Sequence, residues 1–185
     1  IETAGARDLS AVYLDRTTPS YTAILDHDGE LVTGFADMAL YDTGFLRHLR
    51  RIEPRDAIAN ASAVCCDANL PADAIAWLCR QAEGRPVHAI AISPAKVVRL
   101  APSLGMLATL FTNTAEAHAL AGLPDDAPLA DVMRSLAASG LKRAVISAGA
   151  AAVLAFDEEG SFAIAFARTA DVADVTGAGD ALAGT

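Results

Sequence analysis

A glycine-rich run near the end of the chain holds the residues best suited to chemistry. Gly177 and Gly179 flank Ala178 where a predicted strand turns into a helix, and backbone N–H groups can point to one side there. The dipole of the helix adds partial positive charge, so the turn is suited to bind a phosphoryl group. Asp180 follows in the first helical turn, where a carboxylate can accept a proton from an attacking hydroxyl. These residue types in this order favour a phosphoryl-transfer site.

The same run also has a purely structural interpretation. A tight turn followed by Asp180 in the first turn of a helix needs no ligand, because the helix dipole alone stabilises a carboxylate there. The sequence contains neither a Gly-x-x-x-x-Gly-Lys-Ser/Thr loop nor a full Gly-x-Gly-x-x-Gly loop. The two commonest phosphate-binding loops are therefore excluded, and the two interpretations of residues 177–180 stay open at this point.

Asn113 and Glu116 form a second polar pair, placed directly after a predicted strand. One interpretation is structural: Asn113 or Thr114 caps the helix that follows, and Glu116 favours its first turn. The other is functional, because Mg²⁺ keeps several of its waters and is often held by few carboxylates. The pair alone does not choose between them.

Short apolar runs alternate with helix-like runs along most of the chain. The runs predict strands at residues 62–66, 87–92, 107–112 and 141–147, and helices at 43–50, 71–82, 114–121 and 127–139. Continuous apolar runs are typical of strands buried on both faces. Strands that alternate with helices indicate βαβ units with right-handed crossovers. The predicted fold class is α/β, a largely parallel sheet flanked by helices.

Two hairpins interrupt this alternation. Residues 21–26 and 31–37 flank a turn that contains Asp28-Gly29, a strong hairpin signal because glycine accepts positive φ. Residues 153–157 and 162–166 flank a similar turn at Gly160. We expect residues 1–42 to form a small antiparallel hairpin with its connections, and residues 43–185 to form the α/β core.

The carboxyl ends of the predicted strands are where a ligand would bind, because open α/β sheets hold their ligands there. The segments that follow strands in this way are residues 67–69, 93–96, 113–116, 147–149 and 176–180.

Composition excludes several other classes of protein. The 185 residues carry 14 lysines and arginines against 23 aspartates and glutamates, a net charge of −9, which argues against binding to nucleic acid or an anionic membrane. The most apolar stretch, residues 144–156, is too short to span a bilayer. No basic region precedes an apolar one at the start, so a cytoplasmic location is predicted.

Cysteine and histidine provide no further site. Cys65, Cys66 and Cys79 match neither a disulfide framework nor zinc spacing, and we interpret them as small buried thiols. The four histidines lack metal-ligand spacing and are predicted to be surface or incidental residues.

The glycine-rich run resembles the second signature of the ribokinase-like (PfkB) carbohydrate kinases, since the first acid, both glycines and the final aspartate all match. The resemblance implies that Asp180 is the catalytic base and that Gly177, Ala178 and Gly179 form the anion hole. It also implies that Asp174 and Thr176 lie by the monovalent-cation site, for K⁺, that many members have.

Two further motifs are similar to those of the same family. Asn113 and Glu116 match its Asn-x-x-Glu motif, which implies that they organise the water shell of Mg²⁺ near the phosphates of ATP. Ser147 and Gly149 resemble the family's strand end that contacts nucleotide. The family usually has another glycine three residues on, where this chain has Ala152.

The early hairpin, with residues 66–71, 93–96 and 112–117, resembles the pseudouridine kinase branch of the family. That branch often ends its second strand with aspartate, where this chain has Ile90. The hairpin would then close over the acceptor and exclude water, so that ATP is not hydrolysed. The alternative is an exposed edge hairpin or one used for dimerisation.

The resemblance implies ATP-dependent phosphorylation of a primary hydroxyl on a small sugar or nucleoside, with pseudouridine favoured. It covers nearly all of the chain but lacks the family's opening residues and the end of its adenine pocket, so we expect a core incomplete at both ends. One alternative is another kinase of the family, acting on ribose, fructose or adenosine. Another is an inactive ligand-binding relative, although the intact run that ends in Asp180 argues against it.

Overall fold

The first two strands form a small antiparallel sheet of their own. The computed structural model describes residues 3, 5–27, 31–149, 152–165 and 177–184. Strand β1 (Ser20–Leu25) pairs with β2 (Leu31–Asp37), with Tyr21 opposite Ala36 and an irregular register after Ile24. This confirms the predicted hairpin, although its turn at residues 28–30 lies outside the described residues.

The ring of Tyr21 covers a glycine of the neighbouring strand. A Cβ atom added to Gly34 would lie 2.9 Å from Cε2 of Tyr21, so a larger residue would displace the ring. A glycine inside a strand commonly marks such a close approach. On the same hairpin Val32 and Phe35 are also exposed, so the small sheet presents apolar side chains to solvent.

The large sheet has six strands in sequence order, which are β3 (Val64–Asp67), β4 (Val87–Ile90), β5 (Thr109–Asn113), β6 (Ala144–Ser147), β7 (Ala152–Phe156) and β8 (Ser161–Ala165). The first four are mutually parallel, and β7 and β8 add on as antiparallel strands. This arrangement confirms the predicted α/β class with its largely parallel sheet.

The helices are α1 (Ala39–Leu49), α2 (Ile52–Asn60), α3 (Ala72–Gln81), α4 (Pro94–Val97), α5 (Thr114–Ala121), α6 (Leu129–Ala138) and α7 (Ala178–Ala183), with a 3₁₀ helix at Val98–Met106. Helix α3 packs against the 3₁₀ helix and α1, and α5 packs between α4 and α6. None of the helices in the described part of the chain is long and apolar enough to cross a membrane.

The hydrophobic core lies between the sheet and these helices. Ile75 and Leu78 of α3 are spaced three residues apart, so both lie on the buried face of that helix. Leu100, Leu110 and Ile146 are also fully buried, and they come from the 3₁₀ helix, β5 and β6. Side chains of helix α3, the 3₁₀ helix and the parallel strands thus belong to one hydrophobic core.

Several expectations from the sequence need correction. Strands β3 and β4 are fully buried on only one face, and the Cys65 side chain is exposed. Cys66 and Cys79 are buried as predicted, and burial raises the pKa of the Cys66 thiol to about 12. The prediction of surface histidines is wrong for His118, which is only 4% exposed.

The helices also differ in extent from the prediction. Helix α1 begins at Ala39 rather than at residue 43, and α2 and residues 94–106 were not predicted as helical. Both missed segments contain proline, Pro54 in α2 and Pro102 in the 3₁₀ helix. Proline inside a segment normally argues against a helix, but Pro54 lies in the first turn, where an N–H has no partner to lose.

Candidate active site

The ends of β5 and β6 place two of the predicted site residues side by side. Asn113 is the last residue of β5 and Ser147 is the last residue of β6, and the two are paired across the parallel ladder. The Ser147 hydroxyl donates to the carbonyl oxygen of Thr112 at 3.5 Å. The motif residues of two different strands therefore meet at one edge of the sheet, as the topology predicted.

Asn113 and Glu116 hold each other through a reciprocal helix cap. The Asn113 Oδ1 atom accepts from the Glu116 backbone N–H at 2.9 Å, and Glu116 Oε2 accepts from the Asn113 N–H at 2.9 Å. The Thr112 hydroxyl donates to the same Oε2 atom at 3.3 Å. This capping box bears out the structural interpretation of the pair. It also fixes the Glu116 carboxylate, which is 5% exposed, at the end of the sheet.

The capping box limits how this pair could serve a metal. Glu116 Oε2 already accepts two hydrogen bonds from the protein, and a metal bound directly to it would compete with both. A water molecule in the shell of Mg²⁺ could instead donate to the carboxylate without breaking the cap. The donor set therefore fits magnesium held through water. In the described part of the chain, no cluster of three or more histidine, cysteine or acidic side chains could ligate a metal directly.

Helix α7 brings the glycine-rich run to β5. Gly177 adopts φ +79°, the left-handed conformation that favours glycine, and α7 begins at Ala178. Gly177 gives α7 no side-chain cap, as expected of a turn whose N–H groups serve a bound anion. Asp180 lies in the first turn and is exposed. Helix α7 contacts β5, the strand that ends in Asn113.

The loop after β6 also needs its glycine. Gly149 adopts φ +59° and is exposed, two residues beyond the end of the strand. Ala152, which stands where the family usually has glycine, is the first residue of β7 and pairs with Ala165. Alanine at this position therefore serves as an ordinary strand residue. The predicted cation-site residues Asp174 and Thr176 lie outside the described residues.

A chain of polar contacts joins the segments that follow β3 and β4, and the sequence did not predict these contacts. Asp67 accepts from the N–H and the Nδ2 group of Asn69 at 2.9 and 3.2 Å, and Lys96 Nζ donates to Asn69 Oδ1 at 2.6 Å. Arg99 Nη1 donates to the Asn69 carbonyl at 2.8 Å, and its Nη2 lies 3.2 Å from Asp42 Oδ1. We call these residues the Asn69 network. The sequence signal that could have indicated this network is the pair Lys96 and Arg99, two cations one helical turn apart after the end of β4.

A separate cavity lies away from these strand ends. It has a volume of about 600 Å³ and lies between residues 7–19 and helices α1 and α2. Its lining is mostly apolar and includes Tyr13, Tyr41, Phe45 and Leu49. None of the predicted site residues lines it, so the candidate active site is defined by the ends of the strands rather than by this cavity.

Comparison with known proteins agrees with this geometry. The profile of the pfkB family of carbohydrate kinases matches residues 8–185. The pseudouridine kinase of Escherichia coli (strain K12) is 30% identical over 182 residues, which cover 94% of this chain and 58% of that protein.

Solved structures give the same result. A carbohydrate kinase from Agrobacterium tumefaciens is 44% identical, with a TM-score of 0.72 over 92% of this chain and 54% of its own. The adenosine kinase of Trypanosoma brucei brucei shares the fold, with a TM-score of 0.72 at 15% identity over 90% of this chain and 56% of its own.

The chain spans little more than half the length of these relatives, at 58% and 54% of the first two. The family match nevertheless runs from Asp8 to the last residue and includes both motifs that meet at the ends of the strands. The chain belongs to the pfkB family of carbohydrate kinases.

Proposed function

We propose that the protein containing this chain is an ATP-dependent kinase that phosphorylates a primary hydroxyl of a sugar or nucleoside, with pseudouridine as the favoured acceptor. The observation that carries the proposal is the contact of α7 with β5, the strand that ends in Asn113. The contact brings α7, which carries Asp180 in its first turn, to the strand whose last residue, Asn113, shares a capping box with the buried Glu116.

In the proposed reaction Asp180 accepts the proton of the acceptor hydroxyl as its oxygen attacks the terminal phosphorus of ATP. A new P–O bond forms, the bond to ADP breaks, and the proton stays on the Asp180 carboxylate. The N–H groups of residues 177–179 stabilise the charge on the transferring phosphoryl group, because they are already oriented at the start of α7.

Glu116 and Asn113 orient water at the end of β5 in this proposal. Bound Mg²⁺ supplies charge neutralisation of the phosphates, and the rigid cap holds the Glu116 carboxylate where a metal-bound water can donate to it. Ser147 and Gly149, at the end of the neighbouring strand, contact the nucleotide. Asp174 and Thr176 are assigned to a K⁺ site on the family resemblance alone.

The hairpin formed by β1 and β2 is the proposed lid, and residues 43–185 are the proposed kinase core. A lid that closes over the acceptor excludes water, so that ATP is transferred to the hydroxyl rather than hydrolysed. The exposed Tyr21, Val32 and Phe35 side chains support this role, because a bound acceptor could cover them. A homodimer through this hairpin is the alternative use of the same surface.

Pseudouridine is favoured over other acceptors because the Escherichia coli relative is named a pseudouridine kinase. The test is ADP release by the full-length protein with pseudouridine, uridine, adenosine, ribose and fructose, each at several concentrations. We expect the highest kcat/KM with pseudouridine. A higher value with another acceptor would reassign the substrate within the family.

The same assay tests the second candidate, an inactive binding relative. Ile90, at the end of β4 where the branch often has aspartate, is the feature that favours it. ADP release above the rate of the Asp180→Asn variant with any acceptor would exclude an inactive relative. Binding of an acceptor in calorimetry without any ADP release would exclude the kinase.

A further inference from the structure

The Asn69 network joins the end of the large sheet to the base of the hairpin. Asp67 is the last residue of β3, and its carboxylate holds both the backbone and the side chain of Asn69. Asp42 lies in the first turn of α1, the helix that begins directly after β2. Arg99 contacts both partners, through Nη1 to the Asn69 carbonyl and Nη2 to Asp42.

The chemistry of arginine suits it to join two groups in this way. Its guanidinium is planar and rigid, so two partners on different N–H groups are held at a set angle to each other. A lysine has a single ammonium on a flexible stem and fixes no such angle. Lys96 takes the simpler contact in the network, a single bond to Asn69 Oδ1.

The environment of the Arg99–Asp42 pair indicates a role other than stability. The Arg99 side chain is 28% exposed and that of Asp42 is 52% exposed. Ion pairs with this much exposure add little to the free energy of folding. The contact still constrains geometry, because it sets where the first turn of α1, and with it the end of β2, lies relative to the ends of the parallel strands.

We infer that Arg99 is a positioning residue that fixes the base of the hairpin relative to the carboxyl ends of the parallel strands, where the acceptor is proposed to bind. The inference rests on the proposed function, in which the hairpin is the lid. It adds that lid placement is set by the Asn69 network and not only by the backbone that joins β2 to α1.

The test compares Arg99→Ala with Arg134→Ala in the full-length protein. Arg134 forms an exposed ion pair with Asp131 on α6, away from the hairpin, and serves as the matched control. The first measurement is amide hydrogen exchange in residues 20–37, which needs no activity. We expect faster exchange there in Arg99→Ala and no change in Arg134→Ala. Equal exchange in both variants would overturn the inference, whatever the protein's substrate.

The second measurement is kinetic, on whichever acceptor the parent protein phosphorylates. Arg99→Ala should raise the KM of the acceptor about fivefold, the scale expected when the contact between Arg99 and Asp42 no longer holds the hairpin, and leave the KM of ATP unchanged. It should also raise ATP hydrolysis in the absence of acceptor. Equal rises in both KM values, with a lower melting temperature, would show a merely structural residue and overturn the inference.

Two further single variants, Asp42→Asn and Arg99→Lys, keep the test decisive if Arg99→Ala folds poorly, and a double variant measures the coupling of Arg99 with Asp42. Asp42→Asn removes only the ionic partner and should reproduce the acceptor effect in weaker form. The double variant Asp42→Asn with Arg99→Ala should have the same acceptor KM as Arg99→Ala alone, because both changes break the same contact, that between Arg99 and Asp42. Arg99→Lys should restore melting but not the acceptor KM, since an ammonium cannot hold both partners. Full recovery with lysine, or additive effects in the double variant, would contradict a bridging arginine.

Discussion

The Nε2 atom of His118 lies 2.9 Å from the carbonyl oxygen of Ala127, while Nδ1 of the same ring lies 2.6 Å from the carbonyl oxygen of Thr114. Carbonyl oxygens only accept hydrogen bonds, so both contacts are satisfied when both ring nitrogens carry a proton. The ring joins α5, which carries Glu116, to the loop that precedes α6.

This arrangement predicts a pH dependence of stability. The bonds to Ala127 and Thr114 raise the pKa of His118 above its ordinary value of 6.5, and Asp125 and Asp126 nearby act in the same direction. A raised pKa means that the stabilisation is complete below pH 6.5 and is lost as the pH rises through the folded-state value. We expect the melting temperature to fall over that interval.

The control for this prediction is His118→Gln, which cannot be charged. It should melt about 2–4 °C below the parent at pH 6, as expected for one lost hydrogen bond, and the gap should close at high pH. Melting curves of both proteins from pH 5 to 9 check this. A gap that stays constant with pH would show that the ring is neutral throughout.

Asp180→Asn separates a catalytic base from a helix-start residue. The change is nearly isosteric, and Asp180 is exposed, so melting should not change. Loss of the proton acceptor should lower kcat by about 10²- to 10⁴-fold with little change in KM. Kinetics and melting are measured on the same preparation. A kcat within about threefold of the parent would rule out Asp180 as the base. A loss of about 1 kcal/mol in the free energy of unfolding, with kcat unchanged, would indicate a role at the helix start only.

Glu116→Gln tests the magnesium role without removing the cap. Glutamine can still reach back to the Asn113 N–H, so the capping box survives, while the charge that attracts metal-bound water is lost. We expect a higher Mg²⁺ requirement and little change in the KM of the acceptor. A titration of activity with Mg²⁺ checks this, and an unchanged titration curve would leave Glu116 with a purely structural role.

Glu116→Ala provides the comparison for that variant. It removes both the charge and the reach-back bond, and it leaves the Thr112 hydroxyl without this partner. We expect a loss of about 1–2 kcal/mol in the free energy of unfolding, against almost none for Glu116→Gln. Urea unfolding of both variants measures the difference.

Gly140→Ala tests the close approach between Gly140, which follows α6, and Gly105 of the 3₁₀ helix. Gly140 has φ +94°, and an added Cβ would lie 3.3 Å from the Cα of Gly105. Gly84 has a similar φ of +83° with open space around it, so Gly84→Ala measures the backbone strain alone. We expect about 1–2 kcal/mol for Gly84→Ala and a larger loss for Gly140→Ala. Equal losses in urea unfolding would mean that Gly105 gives way without cost.

The predicted elements were accurate where local chemistry decides the structure. Helix α5 has the predicted bounds because Asn113 caps one end and Gly122, at φ +67°, ends the other. The sequence placed the motif residues at the strand ends because buried strands and helices alternate clearly. In contrast, α2 and the 3₁₀ helix are stabilised by packing against α3, which no local pattern around Pro54 or Pro102 reveals.

The polar contacts of the site were harder to predict for a related reason. Lys96 and Asn69 lie 27 residues apart, and Arg99 contacts a carbonyl 30 residues away. Such contacts depend on which strands are neighbours and on where each strand stops, and the predicted strand ends were off by up to two residues. The residue types indicated which end of the sheet carries the site. Which side chains contact each other there could be seen only from the folded structure.

The tyrosine ring that covers Gly34 determines how the hairpin can move. A glycine in a two-stranded ribbon is a point where the ribbon can bend, and the ring of Tyr21 packed against Gly34 opposes such bending. We therefore expect the hairpin to rotate as a rigid unit about the junction of β2 with α1. The seven residues of β2, at about 3.3 Å each, make an arm of about 23 Å, so a turn of about 10° at α1 sweeps the far end by roughly 4 Å. A small shift at the contact between Arg99 and Asp42, near the base of the hairpin, therefore produces a larger displacement at its far end.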